Sequence, residues 1–132
     1  MILRKITPVI CLFIITVVAS CTKDPGDNNN AFLKFSNAFV HIADQQGSTG
    51  KVIIESNIDW KLSFEAPVPD WVITDKTSGN GNGSFNVTAT NTNHTSDYRF
   101  ATIIATPVNN SSESPARITI VQYDSTGQVA HH

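Results

Sequence analysis

The sequence predicts an all-β domain, an immunoglobulin-like β-sandwich of about seven strands. Three observations predict it. Apolar residues recur with period two and not 3.6, as in Trp60, Leu62 and Phe64 alternating with Lys61, Ser63 and Glu65. Turn-forming clusters of Gly, Asn, Ser and Pro punctuate the chain about every 8–12 residues. Trp60 and Trp71 both fall on apolar phases of the Lys51–Gly81 stretch, and rings of that size, burying ~150–250 Å² each, make the natural centre of a small core.

The N-terminal part precedes that domain. Arg4 and Lys5 supply a positive start, and Ile6 to Val18 is an apolar run broken by Thr7, Pro8 and Thr16. The run is shorter than the ~20 apolar residues of a membrane helix and reads as a secretion signal. Val18-Ala19-Ser20-Cys21 ends it and resembles a lipobox, with small side chains before the cut and a cysteine thiol to take diacylglycerol. Further acylation of the freed amine gives the two or more chains that stable anchoring requires. Residues 1–20 are thus expected to be a lipoprotein signal peptide, Cys21 the lipidation site, and 21–36 a flexible tether, since Thr22–Asn30 (TKDPGDNNN) cannot bury a face.

Processing would remove Cys11 and commit Cys21 to lipid, leaving no disulfide, no cysteine metal site and no catalytic cysteine. Lys plus Arg falls from 9 to 7 against 11 Asp plus Glu, so the side-chain charge moves from −2 to −4. A mildly acidic domain without a basic cluster is a poor nucleic-acid partner. The expected membrane contact is the N-terminal lipid alone.

The sandwich is expected over 37–123. Phe32–Phe35 is a candidate short edge strand. In Phe39–Ala43, Val40 and Ile42 share one face and Phe39 and His41 the other. Gln45–Gly50 is a turn. Lys51–Glu55, Trp60–Phe64 and Trp71–Thr74 follow as strands, with Pro67 and Pro69 breaking the second from the third. Thr77–Ser84 (TSGNGNGS) is a loop whose glycines suit positive φ or a bulge. Phe85, Val87 and Ala89 alternate with Asn86, Thr88 and Thr90. Asn91–Asp97 connects to Arg99–Thr106, which is apolar on both phases. Asn109–Ser114 is a hairpin loop, Arg117–Tyr123 is the last strand with Ile118 and Ile120 inward, and 124–132 is a polar tail expected to fray.

The order of an aliphatic strand, Ser56-Asn57, Asp59-Trp60, Trp71, Ser78-Gly79, Asn91, Arg99, then Ile118-Thr119-Ile120-Val121-Gln122 resembles the BACON domain, the Bacteroidetes-associated carbohydrate-binding, often N-terminal module, over roughly Asn37–Gln122. The resemblance implies an immunoglobulin-like sandwich, a cell-envelope setting and carbohydrate binding, with host mucin glycans as a proposed ligand. Lys23, Asp24 and Asp27 partly resemble the acidic export signals of outer-surface lipoproteins in that phylum. The expected location is the outer membrane at the cell surface, with the periplasmic face as the alternative. Asp124-Ser125-Thr126 resembles an O-glycosylation site of the phylum, with Ser125 as acceptor. Asn-x-Ser/Thr matches such as those at Asn86, Asn93 and Asn109 are eukaryotic signals and are set aside behind a bacterial lipobox.

Catalysis is not expected. Asp59, Glu65, Asp70 and Asp75 lie on solvent phases or in turns, with nothing to bring a pair to glycosidase spacing. His41, His94, His131 and His132 lack metal-ligand spacing outside the terminal pair, and no nucleophile motif such as G-x-S-x-G occurs. Neither a metal nor a cofactor is implied. Sugar binding needs an exposed ring for the C–H face of a pyranose, with amides and acids around it for the hydroxyls. Trp60, Phe64, Phe85 and Phe100 are assigned to the core. The candidate glycan-binding residues are Trp71, Asn91, His94, Tyr98 and Asn57, with Tyr123 and Phe32 as further exposed rings. Sandwich loops gather at two ends, so the asparagine loops are the expected site. The alternative function is a structural spacer or protein-interaction module with an outer-membrane protein partner.

Overall fold

A computed structural model describes residues 30–109 and 112–126. The expected signal peptide, Cys21 and most of the tether lie outside these residues, as do 127–132. The described chain contains nine strands and no helix: β1 Leu33–Phe35, β2 Phe39–Ile42, β3 Thr49–Ser56, β4 Asp59–Phe64, β5 Val72–Thr74, β6 Ser78–Asn80, β7 Gly83–Ala89, β8 Arg99–Pro107 and β9 Ala116–Gln122. They form two stacked sheets, β1-β3-β7-β5 and β2-β9-β8-β4-β6. Pairing is antiparallel apart from β2, which runs parallel to β9. This is the immunoglobulin-like sandwich that the period-two pattern predicts.

The strand count exceeds seven because two runs cross between the sheets at their edges. Ser36 N still bonds Ile53 O of β3, while Ala38 O already accepts from Thr119 of β9. Likewise Asp75 N bonds Asn86 O of β7, and two residues later Thr77 O accepts from Leu62 N of β4. Each run therefore serves the four-stranded sheet first and the five-stranded sheet second. The short strand β6, read as loop from its glycines, is the second half of one such run.

The core fills the space between the sheets. Trp60, Phe85, Ile54, Ile103, Ile118 and Ile120 are buried within it, and Phe64 packs on its margin half-buried. Trp60 Nε1 donates to Gly81 O at 2.9 Å, satisfying its one polar atom. Strand β6 lies directly on this indole: a Cβ on Gly79 would sit 2.2 Å from Trp60 Cζ2. Gly81 takes the positive φ of 65° that the loop reading anticipates.

Three expectations change. Phe100 is not core: it is 62% exposed, because Ala101, Ile103 and Ala105 hold the inward phase of β8. The sandwich begins before residue 37, since Leu33 of β1 is buried and paired with Ser56. Asp124 to Thr126 do not fray. Asp124 is buried, its Oδ1 accepts from Thr126 N and Oγ1, and Ser125 N donates to Thr95 O.

Candidate functional site

The end loops spend their polar groups internally. Asn57 Oδ1 accepts from Phe32 N and its Nδ2 donates to Asn30 O. Asn82 Oδ1 accepts from Ser56 N, and Asn80 donates to Asp59. Asn86 donates twice to Asp75, through its backbone N–H and its side-chain amide, and these bonds hold the Asp75 carboxyl below the usual aspartate range. Asn93 is fully buried, donating to Asp97 O and Tyr123 O and accepting from Thr95. Asn57, Asn82 and Asn93 brace turns, the structural role their side chains favour, while Asn86 ties β7 to the connection between β5 and β6.

Trp71, Asn91, Arg99 and Gln122 meet at one end of the sandwich. Arg99 lies over the Trp71 ring, its Cζ 5.3 Å from the ring centre. Arg99 Nη2 and Gln122 Nε2 both donate to Asn91 O, and Gln122 Nε2 also reaches Asp44 O. Trp71 is buried and covered by the guanidinium, so it has no free face for a sugar. Asn91 Nδ2 donates to Asp70 O. His94 is exposed in the same loop system, and Ser125 is exposed just after Asp124.

Of the five candidate glycan-binding residues, Tyr98 alone joins an aromatic surface. That surface is the outer face of the five-stranded sheet. Register places Phe100, Val121 and His41 in one row across β8, β9 and β2. Tyr98 packs edge-on to Phe100, with centroids 6.3 Å apart, and also to Tyr123 at 6.2 Å, whose ring meets His41 at 5.5 Å. The hydroxyl of Tyr123 lies 3.3 Å from His41 Nδ1. Val121 points outward yet is buried in this row, while Phe100 stays exposed.

The next row holds polar groups. Thr102 and Thr119 pair across β8 and β9, Phe39 pairs with Thr119 from β2, and Glu65 N bonds Thr102 O from the other side. Glu65 and Thr102, together with Ala66, Pro67, Phe100 and Ala101, line a shallow groove of about 210 Å³. The Glu65 carboxylate lies 3.7 Å from Arg117 Nε, beyond hydrogen-bond distance, with both side chains about half exposed. Tyr98 and Tyr123 are exposed-ring candidates from the sequence, but Phe100 is not, because β8 is apolar on both phases. Only its register with β9 says which phase faces out.

No side chains among the described residues gather into a His, Cys, Asp and Glu cluster able to hold a metal. The Glu55 carboxyl, far from the ring surface, is held below its ordinary range by Lys34, 2.8 Å away, and by the Ser36 hydroxyl.

No family model and no curated protein matches the chain. Among solved structures it is similar to a Bacteroides ovatus GH5 xyloglucanase, solved in complex with a XXXG heptasaccharide, at 21% identity and a TM-score of 0.57. That match covers 70% of this chain and 19% of the enzyme chain, so the chain spans about a fifth of the enzyme's length. It is also similar to the ASH/PapD-like domain 7 of human CEP192, at 13% identity and a TM-score of 0.51, covering 70% of this chain and 84% of that one. At such identities the likeness shows the sandwich fold alone.

Proposed function

We propose that this chain is a non-catalytic, lipid-anchored cell-envelope protein whose BACON-like sandwich binds carbohydrate through the outer face of its five-stranded sheet. One observation carries the reading: the exposed Phe100 ring stands beside a carboxylate and a hydroxyl, Glu65 and Thr102, that bond no other side chain or backbone group among the described residues apart from the long Glu65–Arg117 contact. A ring face takes the C–H face of a pyranose, and uncommitted acceptors beside it take its hydroxyls. The lipobox ending at Cys21 and the BACON-like residue order support the setting. A sandwich of this kind occurring within a xyloglucanase is compatible with it.

The alternative is docking of a protein partner on the same sheet. Phe39, 59% exposed on the short edge strand β2, favours it, because exposed apolar groups next to an open strand edge suit protein contact. A glycan array probed with the full chain and with Phe100→Ala separates the two. Saturable binding that disappears in the folded variant supports the carbohydrate reading. Absence of glycan binding, with capture of one outer-membrane protein that Phe39→Ala abolishes, supports the alternative.

A further inference from the structure

We propose that the groove between Phe100 and Glu65 is a subsite for a single uncharged pyranose, selecting neutral sugars over acidic ones; this rests on the carbohydrate reading above.

Size and ring geometry limit the ligand to one sugar ring. The groove is about 210 Å³, below the ~300–1,000 Å³ of sites that enclose larger ligands. An extended polysaccharide lying on a sheet would need successive ring faces in one plane. Here the Tyr98 and Phe100 planes meet at 83°, Tyr98 and Tyr123 at 64°, and His41 and Tyr123 at 50°. The cluster is a herringbone that braces Phe100, and it offers no continuous platform.

Hydrogen-bond complementarity sets the selectivity. The Glu65 carboxylate only accepts hydrogen bonds, so it takes hydroxyl or N-acetyl N–H donors from a neutral sugar and offers no donor to a carboxylate or sulfate. Arg117 at 3.7 Å from Glu65 Oε1 leaves the carboxylate its acceptor capacity. Thr102 Oγ1 both donates and accepts, which matches a sugar hydroxyl.

The test is saturation-transfer NMR on the full chain in detergent, with methyl glycosides of glucose, galactose, mannose and N-acetylglucosamine, and with glucuronic and sialic acids. Contacts of one ring on an open groove predict dissociation constants of the order of millimolar. At least one neutral glycoside is expected to bind at least tenfold more tightly than either acid. Phe100→Ala should remove that binding, and Glu65→Gln should weaken it several-fold and narrow the neutral-to-acid ratio. Thermal melting of each variant verifies its fold. Equal or tighter binding of the acids, or neutral binding unchanged in Glu65→Gln and Phe100→Ala, overturns this subsite while leaving glycan binding elsewhere intact. Absence of binding to every glycan, on this panel and on an array, overturns the carbohydrate reading itself.

Discussion

The guanidinium of Arg99 covers the ring of Trp71, with 5.3 Å from Cζ to the ring centre, and joins Gln122 in donating to the carbonyl of Asn91. This contact makes Trp71, a core ring by its phase and also a candidate sugar platform, a floor for one end of the core. Cation–π contacts contribute about 0.5–2 kcal/mol, and a hydrogen bond about 1 kcal/mol more. Arg99→Ala should therefore lower unfolding free energy by about 1–3 kcal/mol in urea titrations. Trp71→Ala should cost about 3–5 kcal/mol. A loss of ligand binding in Trp71→Ala would then track unfolding, visible as a shifted melt.

Gly79 makes a second such contact. Strand β6 presses on Trp60 so closely that an added Cβ meets the indole at 2.2 Å. The ring is buried and hydrogen-bonded to Gly81 O, so it cannot swing aside without losing that bond. Gly79→Ala should destabilise by about 1–3 kcal/mol, the usual cost of overpacking, while Gly81→Ala should lose stability through its positive φ. Differential scanning calorimetry reads both as lowered Tm.

Asp75 links stability to pH. Its folded pKa is lowered, chiefly by the backbone N–H of Asn86, so the ionised form is favoured in the native state. The stabilisation is present above the ordinary aspartate value and is lost as pH falls through the lowered folded value. Glu55 acts in the same direction through Lys34 and Ser36. Unfolding free energy should drop below about pH 4, and Asp75→Asn should make that decline shallower in urea titrations at pH 2–5.

Membrane attachment through Cys21 is a separate expectation. Cys21→Ser should abolish incorporation of labelled palmitate and move the protein from the detergent phase to the aqueous phase in a phase-partitioning assay. Retention in the detergent phase would count against a lipid anchor.

The sandwich was legible in the sequence because alternation fixes which face of most strands is apolar. Val40 with Ile42, and Phe85 with Val87, point inward as their phases require. The sheet-crossing runs were not legible, since hydrogen bonds passing from Ile53 to Thr119 depend on the partner strands. The site was less legible still. Asparagine-rich loops look like ligand groups in one dimension, but their amides are consumed by neighbours such as Asp59 and Asp97. Phe100 looked like core because β8 carries apolar residues on both phases, and only its pairing with Val121 brings it beside Tyr98 and His41 on an open face.

The most direct test is a glycan-array titration of the full chain beside Phe100→Ala and Ile53→Ala. Ile53 is an exposed apolar residue on β3 of the other sheet, so its truncation controls for general loss of surface hydrophobicity. Saturable binding to neutral glycans that is lost in Phe100→Ala and kept in Ile53→Ala is the predicted result. Binding unaffected by Phe100→Ala, or absent from the folded wild-type chain, would contradict the assignment.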